Sequence, residues 1–358
     1  MSLGRRGKLG IAAAALGTVA AGTVAGALAE RRAVRRRRQA RDGADPFGSL
    51  RSEPVTVLTE DGVRLHAEVD EPEPGTVEPG APTLVFVHGY ALNLDCWHFQ
   101  REHFRGLRRA VYYDQRSHGR SERSPKGNAT IDQLGHDLKA VLDQLVPDGP
   151  VVLIGHSMGG MSIMAFAEHH ADLFGERVVG VGLVSTTAGG LRSHKVLSPY
   201  LPDRVMRQVT PRAMALLARA PGLVDGARRT GSDIGFLVTS KFAFGGEVPT
   251  SYVEFVDEML AQTTFEVLAE FFPNFDQLDK FEVLEAFQKV PTVIVCGGDD
   301  VLTSIGHSRK MASRIPGAQL VECPGAGHMV LMERFEQVNA ALERMIKEAE
   351  AQVPGGRR

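Results

Sequence analysis

Residues 151–160 read VVLIGHSMGG, an aliphatic run followed by a Gly-x-Ser-x-Gly pentapeptide centred on Ser157. The run predicts a buried strand, and the small and apolar residues after the pentapeptide favour a helix. A strand that turns abruptly into a helix leaves no room for side chains in place of the two glycines, and it presents the serine at the tip of the turn. The hydroxyl then lies at a helix N-terminus, so we expect Ser157 to be a nucleophile.

A neutral serine needs a base, and the base needs a carboxylate that orients it. Two later segments supply such groups, each directly after a predicted strand. Asp299 and Asp300 follow one apolar run, and His328 ends a Gly-rich segment after the next run. Because the carboxyl ends of parallel strands meet at one edge of a sheet, these side chains can reach Ser157, and either aspartate fits the pattern.

From Pro54 onward, strand patterns alternate with helix patterns. Fully apolar strands of this kind indicate an α/β fold, with a mostly parallel sheet covered by helices on both faces. Between residues 188 and 285 the alternation stops, and the largely helical pattern is too long for a simple connection. We therefore predict an α/β core over 54–187 and 286–349, a helical cap over 188–285, and a flexible tail over 350–358.

The order of these motifs resembles the α/β-hydrolase superfamily, in its serine-dependent, esterase- or lipase-like branch with a cap insertion. The resemblance covers about residues 54–349 outside the cap, and it implies the order serine, acid, histidine. The family pattern Gly-x-x-Asp falls on Asp300, which makes Asp300 the acid and Asp299 the fallback. Ser117 stands where the family usually has glycine, a departure that leaves the triad intact. The motifs that carry the resemblance are His88-Gly89, Asp114-Gln115-Arg116-Ser117-His118-Gly119-Arg120-Ser121, Gly155–Gly159, Gly297–Asp300 and Gly327-His328.

The resemblance also implies an oxyanion hole, because negative charge develops on the substrate carbonyl oxygen during acyl transfer. One backbone N–H belongs to the residue after the nucleophile, here Met158, and the other to the loop after the third strand, here Tyr90. His88 precedes the serine and is expected to brace that loop, while His156 is expected to pack beside the nucleophile. No cofactor and no metal ion are implied by these groups.

The N-terminal part, residues 1–53, has a different composition. Residues 9–29 are an uncharged run of mostly Ala, Gly and Val, long enough to cross a bilayer, and seven arginines follow by position 41. A cleaved signal peptide is one reading, although these arginines would oppose translocation. A membrane anchor with a cytoplasmic catalytic domain is another, and an Ala-rich helix lying on a membrane or on the domain is the third. We favour membrane association, with residues 30–53 as a basic linker.

The rest of the chain, after position 41, is acidic, with 31 basic and 42 acidic residues. This balance argues against nucleic-acid binding through a general surface field. Aromatic residues in the predicted cap suggest an apolar acyl pocket or, equally, packing of the cap on the core. They are Phe236, Phe242, Phe244, Phe265, Phe271 and Phe272.

The predicted function is a serine hydrolase that cleaves carboxylic esters of small, apolar molecules, lipids included, through an acyl-enzyme intermediate. Esters are favoured over amides because an amine leaving group needs more protonation. One alternative is a serine-dependent perhydrolase, haloperoxidase or carbon–carbon bond hydrolase of the same fold. The other is a catalytically silent, membrane-tethered binding module.

Overall fold

The computed structural model describes residues 46–191 and 239–352. The strands are β1 (Pro54–Leu58), β2 (Arg64–Asp70), β3 (Thr83–Val87), β4 (Ala110–Tyr113), β5 (Val151–His156), β6 (Val178–Val184), β7 (Thr292–Gly297) and β8 (Gln319–Cys323). The α-helices with both ends in these ranges are α1 (His98–Phe104), α2 (Ile131–Leu145), α3 (Met158–His169), α4 (Thr250–Gln262), α5 (Phe265–Gln277), α6 (Leu284–Phe287), α7 (Ile305–Ala312), α8 (Val330–Glu333) and α9 (Phe335–Gln352).

The eight strands form one sheet in the order β1-β2-β4-β3-β5-β6-β7-β8. Strand β2 is antiparallel to both of its neighbours, and the strands from β4 to β8 pair in parallel. The predicted α/β fold with a mostly parallel sheet is therefore confirmed. The strand order reverses at β3, which has β4 on one side and β5 on the other. Such a reversal opens a crevice at the carboxyl ends of the strands, and β5 ends there at His156.

Helices cover both faces of the sheet. Alternate residues of each strand point to opposite faces, so each strand contributes side chains to the packing on both. Leu84 and Phe86 of β3 belong to an apolar cluster that includes residues of α1 and α9. Val85 and Val87 of the same strand belong to a second cluster, with residues of α2, α3 and α6. Every residue of β5, β6 and β7 is buried, so these strands form the centre of the core.

Helix α5 packs on the domain close to the beginning of α3. Val267, Phe271 and Phe275 of α5 share an apolar cluster with Met158 and Met161 of α3. Of the aromatic residues predicted in the cap, Phe244, Phe265 and Phe271 are buried in the structure, and Phe242 and Phe272 are half-buried. Packing inside the protein therefore accounts for the aromatic character of Phe244, Phe265 and Phe271.

Several predictions fall outside the described residues. Residues 192–238, with Phe236, belong to the predicted cap, so its boundaries stay a prediction, as does the tail beyond residue 352. The apolar segment 9–29 also lies outside. Within the ranges that the structure covers, no helix combines the length and the apolar character needed to cross a bilayer.

Candidate active site

Ser157 occupies the turn between β5 and α3 with φ 52° and ψ −118°. A positive φ strains a residue that carries a Cβ, so the surroundings must hold this turn in place. Its backbone N–H donates to the carbonyl of Val184, over 3.0 Å, and its own carbonyl accepts the hydroxyl of Thr186, over 2.6 Å. These two bonds fix the serine at the carboxyl edge of the sheet.

The two outer glycines of the pentapeptide are required by close backbone packing. A Cβ at Gly159 would lie 2.0 Å from the carbonyl oxygen of Val87 in β3. A Cβ at Gly155 would lie 2.5 Å from the backbone nitrogen of Gly160. The sharp strand-to-helix turn that the sequence predicts therefore depends on both glycines.

We expect Gly159→Ala to destabilise the fold by more than about 3 kcal/mol, because the added methyl group would overlap backbone that cannot move aside. Thermal unfolding and soluble yield measure this effect. Gly306→Ala in α7 is a matched control: the nearest atom to its added Cβ is Ser304 Oγ, at 3.8 Å. The control should be at least as stable as the wild type, by up to about 1 kcal/mol, because alanine favours a helix more than glycine does. A Gly159→Ala protein as stable as the wild type would contradict the steric explanation.

The structure brings three of the predicted site residues together. His328 Nε2 lies 2.9 Å from Ser157 Oγ, and His328 Nδ1 lies 2.9 Å from Asp300 Oδ2. Asp300 follows β7 and His328 follows β8, so all three side chains project from loops at the same edge of the sheet. All three residues are buried. A neutral ring with its proton on Nδ1 donates to Asp300 and can accept the Ser157 proton at Nε2.

Asp300, rather than its neighbour Asp299, contacts His328. Its Oδ1 accepts the backbone N–H groups of Leu302 and Thr303, over 2.8 and 2.9 Å, and its Oδ2 accepts the Thr303 hydroxyl, over 2.8 Å. Burial raises the pKa of the Asp300 carboxyl, but the attraction of His328 in its imidazolium form and the hydrogen bonds from His328 and Thr303 outweigh it and hold the pKa well below its usual range. The side chain is therefore an anion. Asp299 is exposed.

The loop after β3 lies against the turn that carries Ser157. A Cβ at Gly89 would be 2.8 Å from His156 Nδ1 and 3.1 Å from Ser157 Cβ, so only a glycine permits this approach. Tyr90 is the next residue in this loop, and Met158 is the first residue of α3. Both predicted oxyanion donors therefore belong to segments that adjoin the serine.

Two buried histidines hydrogen-bond backbone groups around the site. His88 Nδ1 donates to the Gly89 carbonyl, over 2.7 Å, and its Nε2 accepts the N–H of Gln115, over 2.9 Å. His156 Nε2 donates to the carbonyl of His328, over 3.1 Å. Burial lowers the pKa of each histidine to about 3, so both are neutral. They support the loops on either side of the serine, as predicted for His88, while His156 also holds the backbone of His328.

Sequence reasoning missed two residues that hold the site in place. Thr186 binds the carbonyl of Ser157, as described above. Glu333, at the end of α8, accepts the N–H of Gly327 over 2.6 Å and so holds the loop directly before His328. Nothing in the local pattern separates Thr186 from an ordinary polar residue. For Glu333, the one available signal was a carboxylate five positions after the histidine.

Comparison with known proteins gives the family. Residues 84–341 match the Alpha/beta hydrolase family. The chain is 30% identical to the dihydrolipoyllysine-residue acetyltransferase component of the acetoin cleaving system of Pseudomonas putida, over 73% of this chain and 62% of that protein, so it spans less than two thirds of that relative. It is 26% identical to an sn-1-specific diacylglycerol lipase of Mus musculus, over 70% of this chain and 76% of that protein.

Among solved structures, the enol-lactonase from Burkholderia xenovorans LB400 superposes with a TM-score of 0.65. It has 25% sequence identity, and the match covers 82% of this chain and 100% of the lactonase. The family match, the sheet order and the motif order agree. The chain therefore belongs to the alpha/beta hydrolase family, as its motifs predicted.

Proposed function

We propose that this protein is a serine hydrolase that cleaves carboxylic esters through an acyl-enzyme intermediate. The observation that carries the proposal is the hydrogen-bonded series from Asp300 through His328 to Ser157 Oγ, with 2.9 Å at each step. This series contains a nucleophile, a base within reach of its proton, and an anion that orients the base.

In the proposed reaction, His328 Nε2 takes the hydroxyl proton while Ser157 Oγ forms a bond to the ester carbonyl carbon. The carbonyl oxygen becomes an oxyanion and accepts the N–H groups of Tyr90 and Met158. His328 then gives its proton to the departing alkoxide, and the carbon–oxygen bond breaks. A water molecule, deprotonated by His328, releases the acid from the serine by the same steps. Asp300 remains ionised and stabilises the imidazolium.

The names of two relatives, a diacylglycerol lipase and an enol-lactonase, support the proposal of an ester substrate. An apolar substrate is proposed from the half-buried aromatic residues of the predicted cap, Phe242 and Phe272. Membrane association through residues 9–29, with the catalytic part in the cytoplasm, is proposed from the sequence.

A fluorophosphonate probe and a panel of p-nitrophenyl esters, from acetate to palmitate, test the proposal. We expect the probe to label the folded protein on Ser157, as mapped by peptide mass spectrometry, and ester hydrolysis to show a burst equal to the enzyme concentration. Rising activity with acyl length would support an apolar substrate. Folded protein without labelling or turnover would refute the proposal. Cleavage of a 1,3-diketone without ester turnover would instead favour the carbon–carbon bond hydrolase.

A further inference from the structure

The phenol of Tyr90 connects the loop after β3 to helix α5. Its Oη donates to the carbonyl of Leu268 over 2.5 Å. Its ring packs edge-on against Phe275 of the same helix, with centroids 5.0 Å apart and planes at 76°. Pro273 lies within α5 and cannot donate to the turn before it, so this turn has one helical hydrogen bond fewer. Tyr90 thus connects the loop to a part of α5 that lacks one helical hydrogen bond.

The residue after Tyr90 explains why the loop needs this tie. Ala91 has φ 60°, a strained conformation for a residue with a Cβ, and such a conformation persists only when the surroundings impose it. Thr263, between α4 and α5, donates its hydroxyl to the Ala91 carbonyl over 3.2 Å. Tyr90 and Ala91 are thus both hydrogen-bonded to the α4–α5 segment, residues 250–277.

A third bond continues the series. Asn93 Nδ2 donates to Gln262 Oε1, at the end of α4, over 3.1 Å. Residues 90, 91 and 93 therefore each bind the α4–α5 segment, while Gly89 packs against the turn that carries Ser157. The backbone of Tyr90 lies between these two attachments.

We propose that the Tyr90 phenol, supported by Thr263, is a positioning group that holds the Tyr90 backbone N–H at the oxyanion and so links helix α5 to the reacting carbonyl. This inference rests on the proposed function, in which that N–H stabilises the tetrahedral intermediate. Removing a whole oxyanion donor costs about 100- to 1,000-fold in rate. Loss of the phenol leaves the donor in place but less well held. We therefore expect about a 10-fold fall in kcat with KM unchanged, because the donor acts in the transition state.

Tyr90→Phe tests this inference, since it removes only the hydroxyl and keeps the ring and the backbone N–H. With a p-nitrophenyl ester, kcat should fall about 10-fold while KM stays within about twofold. The affinity for a boronic acid, which becomes tetrahedral on bonding Ser157 Oγ, should fall by the same factor as kcat. Thr263→Val should also lower both kcat and the affinity for the boronic acid.

Tyr113→Phe is the matched control. The Tyr113 hydroxyl is buried in β4 and has no hydrogen-bond partner in the part of the chain that the structure describes. Its kcat should equal that of the wild type. An unchanged kcat in both Tyr90→Phe and Thr263→Val, or a rise in KM alone, would overturn the inference and leave the proposed function standing. A wild-type protein without ester turnover or probe labelling would instead overturn the proposed function.

Discussion

Ser157→Ala is expected to lower kcat for ester hydrolysis by about 10⁶-fold and to abolish fluorophosphonate labelling. The variant has no nucleophile, so any remaining rate would come from substrate binding and from the backbone donors of Tyr90 and Met158. Initial rates with a p-nitrophenyl ester and in-gel fluorescence of the labelled protein measure the two effects.

The fold of this variant should survive, which makes its loss of activity interpretable. Alanine meets the same φ of 52° as serine, and the bonds of the turn to Val184 and Thr186 involve only backbone atoms of residue 157. The unfolding temperature should therefore stay close to that of the wild type. Circular dichroism during heating checks this expectation.

Ser185 provides a matched control for the same substitution. It follows β6, is fully buried, and also has a positive φ, of 43°. Within residues 46–191 and 239–352, however, its hydroxyl has no hydrogen-bond partner. Ser185→Ala should keep both activity and labelling. Labelling that persists in Ser157→Ala and disappears in Ser185→Ala would identify Ser185 as the nucleophile and would contradict the proposal.

The parts of the site that local sterics determine could be predicted from the sequence. Gly155 and Gly159 indicate a turn in which backbone packs directly on backbone. Because only glycine fits there, the pentapeptide itself predicts the turn. The alternation of apolar runs with helix patterns likewise predicts a mostly parallel sheet covered by helices. These features depend on residues that are close together in the chain.

The remaining features depend on packing between distant segments. The bond from Tyr90 to Leu268 joins residues 178 positions apart, and a tyrosine after a glycine does not indicate where its hydroxyl will bind. The choice between Asp299 and Asp300 is a local one, which the residues alone leave open and only the resemblance assigns to Asp300. Two adjacent aspartates after a strand look alike until the turn beyond them, where Leu302 and Thr303 direct their N–H groups at one of the two, is known.

The adjacent aspartates allow a sharp test of the acid. Asp300→Asn is expected to lower kcat by about 10⁴-fold, whereas Asp299→Asn should stay within about twofold of the wild type. The two substitutions are chemically identical and one residue apart, so solvent, expression and overall charge are matched. Steady-state kinetics of both variants with the same ester gives the comparison.

The direction of the expected loss follows from the hydrogen bonds of Asp300. The N–H groups of Leu302 and Thr303 both point at Oδ1, so the amide oxygen of an asparagine would take that position. Its NH₂ group would then face His328 Nδ1, where the carboxylate had accepted a proton. Nδ1 would have to become an acceptor, the ring proton would move to Nε2, and the atom that should take the Ser157 proton would already carry one. Equal losses in the two variants, or a larger loss in Asp299→Asn, would show that this tautomer argument is wrong.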